Sequence, residues 1–458
     1  MSIGRVSRGR WSLAAGLFGL MLVGPAAAQT SLTVYSDGRV LHRRSLPVRI
    51  PAGLSSHDLA LGALDASSIF ALDSGVTITG LVFDPAVDQG NALRRAVGRD
   101  LRFATRGAGG AREVVTARVL GVDPERFRLE DGTVVFERPG TPLFPADLVP
   151  AEPSTRLTVR SDRARTGLGL GFFSDGASWR ASYSIILGRS QAVVSGQALI
   201  TAGRLRADSA ELQVLAGNVG RAAPAMRFSR EGVQAAPMAA RMDMAAEESV
   251  GEAHLYSLPG RFTLLPGVET AVALFDPAQA AYERTLTASA QNQWAVGLPQ
   301  QGDEEILPVA VTYVVKRAAK TPFGDRPVPA GVARIYERDQ QGRLQLVGES
   351  SLGHTAAGQD LRLSAGTAFD LTARRTQTAY QTQREGQRTV ATASYTVTVA
   401  NAKDSAATVD VLEERRGEWS VLQSSVPAER VSSTITRFRL RVPPKGEATV
   451  TYRIRVVW

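Results

Sequence analysis

The sequence predicts a mainly β protein with little helix, in which two immunoglobulin-like β-sandwich domains carry a small SH3-like barrel inserted into the first. Apolar and polar residues alternate with a period of two through most of the chain, as in half-buried strands. Turn pairs such as Asp37-Gly38 and Asp131-Gly132 separate these short segments, which is typical of antiparallel sheets. The chain of 458 residues is long enough for two or three such domains.

Residues 1–28 have the pattern of a secretory signal peptide. Three early arginines precede the apolar run Trp11–Val23, and Gly24-Pro25 and three alanines follow it. This order predicts cleavage between Ala28 and Gln29. The run of thirteen residues is shorter than the ~20 that a membrane-spanning helix needs, and no later stretch reaches that length. We therefore expect export to the periplasm or the cell exterior, including a peripheral position at the outer membrane, without a transmembrane helix.

The first sandwich is expected to combine residues 29–85 with residues 151–221. Ser31–Ser36 alternates as a strand, whereas Ala60–Leu72 is mixed and predicts no more than one helical turn. The clearest strand is Trp179–Leu187, in which every second side chain is large or apolar. The expected inward face of that strand is Trp179, Ala181, Tyr183, Ile185 and Leu187.

Residues 86–150 predict the small SH3-like barrel. A short helix is expected within Val87–Asp100, followed by strands over Leu101–Thr105 and Glu113–Val122. Phe127–Glu137 then predicts a tight hairpin around its Asp-Gly pair. Several short strands in so few residues are typical of a small barrel, a shape that specifies no ligand.

Residues 222–251 predict a flexible linker or long loop, because alanine, glycine, proline and charge dominate and no period survives. Four methionines fall in this segment, namely Met226, Met238, Met242 and Met244. Thioethers can bind Cu(I), which leaves a copper site open as an alternative. The spacing is not diagnostic of one, and a linker with oxidisable methionines is the favoured interpretation, so no metal and no cofactor are expected.

Residues 252–458 predict the C-terminal sandwich. The last strand places Val450, Tyr452, Ile454, Val456 and Trp458 on one face and polar residues on the other. A half-buried sandwich strand gives this pattern. A strand of an outer-membrane β-barrel with aromatic girdles gives it too, and this alternative stays open.

The segment Gly331–Thr378, with Ala393–Lys403 and Pro443–Trp458, resembles the C-terminal half of the bacterial domain-of-unknown-function 4139 family, which includes mucoidy-inhibitor-A-like proteins. Tyr35–Gly38 with Leu46–Gly53, the Trp179–Leu187 strand and Leu212–Arg221 fit the same family, so the resemblance covers most of the mature chain. It implies an envelope location and a β fold. It implies no catalytic residue, because the family has no accepted enzymatic mechanism.

Catalytic patterns are weak in this chain. There is no cysteine, and the four histidines lack metal-ligand spacing. Gly348–His354 has a serine between glycines, but the second glycine is one place too late for a nucleophile elbow. His354 with Asp360 could form a base and its orienting carboxylate, although a histidine in a loop more often bonds a carbonyl. The adjacent carboxylates Glu304-Glu305 and Glu413-Glu414 should point to opposite faces of a strand.

Charge distribution favours no nucleic-acid partner. The formal net charge is +9, but residues 29–150 carry 14 arginines and 14 carboxylates in interleaved order. We therefore expect a non-catalytic binding or scaffold module that acts through sheet edges and loops on another envelope protein or a surface polymer. A hydrolase whose carboxylates converge only in three dimensions is the remaining alternative. The sequence predicts no oligomeric state.

Overall fold

The computed structural model confirms the mainly β fold class, with 67% of residues in strands and 3% in helix, and its several sheets are consistent with immunoglobulin-like sandwiches. The structure describes residues 29–85, 88–106, 111–150, 152–220, 246–290, 302, 304–318, 321 and 323–458. Ala28 and the four methionines of the predicted linker lie outside these residues. Gln29 is the first residue of the first strand.

Two compact units divide the chain. Unit 1 contains His42–Phe173, and unit 2 contains Ser31–Leu41 with Ser174–Trp458. Each unit has buried apolar clusters of its own. The domain boundaries expected from the sequence remain predictions.

The first part of the chain contains twelve strands and one helix within the described residues. They are β1 Gln29–Tyr35, β2 Arg39–Leu46, β3 Gly53–Leu59, β4 Phe70–Ala71, β5 Val76–Asp84, α1 Gln89–Arg95, β6 Asp100–Arg106, β7 Arg112–Val122, β8 Glu125–Leu129, β9 Val134–Val135, β10 Thr141–Leu143, β11 Ser154–Ser161 and β12 Leu168–Asp175. Two short 3-10 turns, Ala66–Ser68 and Ala146–Leu148, complete this part. The first of them falls where the sequence predicts a single turn.

Unit 1 contains a three-stranded sheet, β3–β11–β5, and the pair β12–β4. Alternating residues Leu157 and Val159 of β11 are buried with Leu168 and Leu170 of β12. His42 is buried as well and stacks on the Phe172 ring, with ring centroids 4.7 Å apart. Burial, aided by the charge of Arg44, lowers the pKa of His42 to about 4.

A five-stranded antiparallel sheet, in the order β10–β6–β7–β8–β9, occupies the segment for which the sequence predicts a small barrel. Helix α1 begins after Asp88, whose carboxylate accepts a hydrogen bond from the Asn91 amide at 2.7 Å and so caps the helix. Leu93 of this helix packs with Phe103 and Phe127 of the sheet. The SH3-like closure remains a prediction. No helix in the described part of the chain is long and apolar enough to cross a bilayer.

The second part of the chain contains sixteen strands within the described residues. They are β13 Ala177–Leu187, β14 Gln191–Ala202, β15 Ala207–Ala216, β16 Ala246–Val250, β17 Ala253–Leu264, β18 Val268–Ser289, β19 Glu304–Val315, β20 Gly331–Arg338, β21 Leu344–Leu352, β22 Leu361–Glu385, β23 Arg388–Asn401, β24 Ala407–Glu414, β25 Glu418–Ser424, β26 Ala428–Arg430, β27 Ile435–Val442 and β28 Gly446–Val457. Strand β16 lies within the segment that the sequence predicts as a linker.

Unit 2 contains a thirteen-stranded sheet whose main path is β21–β20–β13–β14–β18–β19–β22–β23–β28–β25. The alternation of β13 is confirmed, because the five residues expected on its inward face are all buried. Strand β13 pairs in parallel with β20, about 150 residues later in the chain. Strand β15 pairs with β1 in parallel and with β17 antiparallel, so segments that the sequence assigns to different sandwiches share sheets.

The last strand faces a buried core. Val450, Tyr452, Ile454 and Val456 of β28 are buried in one apolar cluster with residues of β23 and β24. Trp458, which continues the same alternation, is 54% exposed. The pattern of this strand is therefore that of a half-buried sheet, apart from its final tryptophan.

Candidate functional site

The β20–β21 hairpin and the loop that follows it form the candidate site. Ala333 and Ile335 of β20 are buried and fix this strand on the core of unit 2. The turn is built by Asp339, whose carboxylate accepts hydrogen bonds from the amides of Gln341 and Arg343, both at 2.9 Å. The bond from Arg343 keeps the pKa of Asp339 below its ordinary value. Gly342 takes a φ of +81°, which favours glycine.

The first half of β21 is exposed on both faces. Leu344 is 42% exposed, Leu346 54% and Val347 37%, and Gln345 between them is exposed as well. Strand β21 stands at the end of the sheet path, with β20 as its ladder partner. Edge strands of soluble proteins usually carry charges or prolines that prevent pairing with another chain. This stretch carries neither.

The second half of β21 is covered by β22. A bulge at Val347 separates the two halves, since Leu346 pairs with Tyr336 and Gly348 with Ile335. At Gly348 a Cβ atom would lie 2.8 Å from the Cα of Ala365, so this close approach requires glycine.

Ser350, the serine of the glycine-flanked motif, belongs to the covered half. It is buried, and its hydroxyl accepts a hydrogen bond from the Ser364 amide at 3.0 Å and donates to the Ser351 carbonyl at 3.4 Å. The hydroxyl therefore bridges two strands.

The structure does not join His354 to Asp360. His354 Nδ1 accepts a hydrogen bond from the Ala330 amide at 3.2 Å. Asp360 accepts hydrogen bonds from the Lys316 ammonium and the Arg317 amide, each at 3.1 Å. Burial alone would raise the pKa of Asp360, but these two donors outweigh it and lower the pKa. Both side chains thus fasten loops to neighbouring segments.

Arg317 is the anchor of this region, and the sequence does not reveal it. Its side chain is 3% exposed, burial lowers its pKa, and the guanidinium lies 5.1 Å from the centroid of the Phe323 ring. The guanidinium donates to the backbone carbonyls of Phe323, Gly324, Arg326, Ala356 and Gln359. One side chain therefore fixes both loops that flank the hairpin, because Arg carries five donors in a rigid fork.

A cleft of about 520 Å³ opens beside the anchored loop. It is lined by Leu352, Gly353, Thr355, Gln359, Asp360 and Arg362. Its hydroxyl, amide and guanidinium groups can hydrogen-bond a polar segment that continues beyond the strand edge.

A second polar cluster, the Arg375 cluster, is buried among strands of the thirteen-stranded sheet. Arg375 donates to both carboxylate oxygens of Glu413, at 3.2 and 3.1 Å, and Arg415 lies 2.6 Å from the same carboxylate. The Tyr452 hydroxyl donates to Glu413 at 2.6 Å, and the Arg375 guanidinium lies 3.7 Å from the centroid of the Tyr395 ring. The alternation of side chains along β22 predicts that Arg375 points inward, because it lies on the same face as Leu371 and Ala373.

The charges of the Arg375 cluster stabilise one another. Burial alone would lower the pKa of Arg375, but the charge of Glu413 outweighs it and the pKa is raised. Burial, together with the charge of Glu413, raises the pKa of Tyr452. Glu413 is 1% exposed and Glu414 is not buried, as strand alternation requires. The Glu413 carboxylate therefore has the hydrogen bonds and the charged partners that a buried carboxylate needs.

Protein-family models gave no match to this chain, and neither did a search of curated proteins. The resemblance described above remains a prediction.

Proposed function

We propose that this protein is an exported, non-catalytic module of the cell envelope that binds another envelope protein through the open edge of β21. The observation that carries the proposal is the uncharged, exposed stretch Leu344–Val347 at the end of the thirteen-stranded sheet. An extended partner segment would add a strand here, with main-chain hydrogen bonds for affinity. Leu344 and Leu346 would supply apolar contacts along one face.

The rigidity of the surrounding chain supports this role. Arg317 fixes both flanking loops, and the Ser350 bridge ties β21 to β22. An edge that is already in strand conformation costs a partner less ordering than a mobile loop would.

The chemistry of the motif residues supports a non-catalytic role. Ser350, His354 and Asp360 are each engaged with backbone groups of neighbouring segments. A nucleophile and its base must instead lie within hydrogen-bond reach of each other. Export rests on the pattern of residues 1–28, and N-terminal sequencing of the protein recovered from the envelope should begin at Gln29. A retained N-terminal segment in the recovered protein would contradict this part of the proposal.

The binding role is tested with a photo-crosslinking side chain at Gln345 on the open edge. A matched control carries the same group at Gln423, which is exposed on β25. We expect an adduct with one envelope protein from position 345 alone, and its loss when Leu346→Lys places a charge on the edge. Equal labelling at both positions, or no adduct, would refute the proposal. An adduct with a second copy of this chain would show that the edge mediates self-association and does not bind another envelope protein.

A further inference from the structure

The outward face of the five-stranded sheet in unit 1 collects arginines. Cross-strand partners point to the same face of an antiparallel sheet, and side chains on one strand alternate. The register pairs Asp100 with Arg118, Arg102 with Thr116, Arg106 with Arg112, Arg118 with Arg128 and Gly121 with Arg126. The six exposed arginines on this face are Arg102, Arg106, Arg112, Arg118, Arg126 and Arg128.

The opposite face is the core. Leu101, Phe103, Ala117, Val119 and Phe127 alternate with the arginines and are all buried. The arginine face is therefore the solvent side of the sheet.

Four carboxylates of this region are engaged away from the outward face. Asp88 caps α1, Glu125 pairs with Arg138, and Asp147 lies 2.8 Å from Arg99. Asp131 accepts a hydrogen bond from the Thr133 amide at 2.9 Å. Among the paired positions on the outward face of β6, β7 and β8, Asp100 is the one acid, and it lies 3.9 Å from Arg118. Arginines and carboxylates are equally numerous in the sequence of residues 29–150, but on the outward face of this sheet arginines predominate.

This arrangement costs folding energy. Arg106 lies opposite Arg112, and Arg118 lies opposite Arg128, and like charges directly opposite destabilise a sheet. No hydrogen bond or ion pair within the described residues engages the side chains of Arg102, Arg106, Arg112 or Arg128. An anionic ligand would relieve the repulsion.

Two aliphatic side chains on the same face indicate which anion fits. Val114 is 43% exposed between Arg112 and Thr116, and Val134, opposite Arg128, is 45% exposed. Arginines interspersed with exposed aliphatic groups match phosphate headgroups above acyl chains. The face extends ~20 Å along β7 and crosses strands ~4.8 Å apart, which suits a two-dimensional array of headgroups.

We propose that this face, the arginine face, is a docking surface for anionic phospholipid. The proposal is independent of the strand edge of β21, which uses unit 2. Each arginine near an anionic surface raises the partition coefficient roughly fivefold, so the salt-sensitive affinity should come mainly from these side chains.

The test is sedimentation of the full chain with vesicles of phosphatidylglycerol and phosphatidylcholine, and with vesicles of phosphatidylcholine alone. The neutral vesicles report any contribution of the apolar run at residues 11–23. The variant Arg102→Gln/Arg112→Gln/Arg128→Gln should lose roughly 100-fold in partition into the anionic vesicles. The control Arg189→Gln/Arg284→Gln/Arg453→Gln removes the same charge from exposed positions of unit 2 and should change partition little.

Four outcomes decide the proposal. Preferential binding to anionic vesicles that is lost in the first variant alone supports it. Equal binding to both kinds of vesicle overturns it, as does an equal loss in both variants. Tighter binding to a soluble polyanion, polygalacturonate or a single-stranded oligonucleotide, would assign the face to a polymer and overturn the lipid proposal.

Discussion

Acidification from about pH 7 to pH 5 should destabilise unit 1 through one side chain, His42. The ring is 6% exposed and stacks on Phe172. Burial, with the charge of Arg44, lowers its pKa to about 4 from the ordinary 6.5. Because the unfolded chain binds the proton more tightly, stability is complete above the unfolded pKa and falls as the pH drops through this interval.

The magnitude follows from the two pKa values. The two pKa values differ by about 2.5, which corresponds to about 3.5 kcal/mol in total at ~1.4 kcal/mol per pH unit. About 2 kcal/mol of that total is lost between pH 7 and pH 5, and the remainder is lost near pH 4. A loss of this size is a large fraction of the stability of an ordinary domain.

The assay is native-state hydrogen exchange of peptides from β11 and β12, measured at both pH values in the wild type and in His42→Gln. Comparing the two proteins at each pH cancels the intrinsic pH dependence of exchange. We expect the opening free energy of the wild type to fall by about 2 kcal/mol more than that of the variant. An equal fall in both proteins would refute the assignment to His42.

Two further predictions concern unit 2, and both are measured by urea unfolding followed by tryptophan fluorescence. Glu413→Gln should lower the free energy of unfolding by about 3–5 kcal/mol, because it leaves two buried guanidinium groups without their shared carboxylate. The control Glu414→Gln should cost less than about 0.5 kcal/mol, and equal costs would contradict the pairing. Gly348→Ala should cost about 1–3 kcal/mol, because the new methyl group would meet backbone of β22. Gly353→Ala, where a Cβ meets nothing within 4 Å, should be nearly neutral, and a similar loss at both glycines would argue against the close approach.

The sequence predicts strands better than it predicts their partners. Alternation is a local property, so the inward face of β13 and the burial of Val450 and Ile454 follow from residue order alone. Pairing is not local. Nothing near Trp179–Leu187 indicates that its parallel neighbour begins at Gly331.

The residues of the candidate sites also differ in how far the sequence predicts their positions. Arg375 could have been placed inside by the parity of its strand, because Leu371 and Ala373 precede it. Arg317 could not, since its carbonyl partners come from two loops without regular structure. The sequence does not predict the arginine face, because arginines and carboxylates are equally numerous in residues 29–150. The arginines come to share one face only when the strands form and pair. The net charge of a segment therefore underestimates the electrostatic potential at one face of its sheet.

The parallel pairing of β1 with β15 has a consequence for synthesis. Thr33 donates a hydrogen bond to Gln213 across a separation of 180 residues, and the stretch His42–Phe173 of unit 1 lies between them in sequence. At ~5–20 residues per second, roughly 10–40 seconds pass between the appearance of the first strand and that of its partner. The stretch His42–Phe173 is complete before then, so it can fold while the edge of β1 that pairs with β15 is still open. The β15-facing edge of β1 is therefore exposed on the nascent chain for longer than its β2-facing edge.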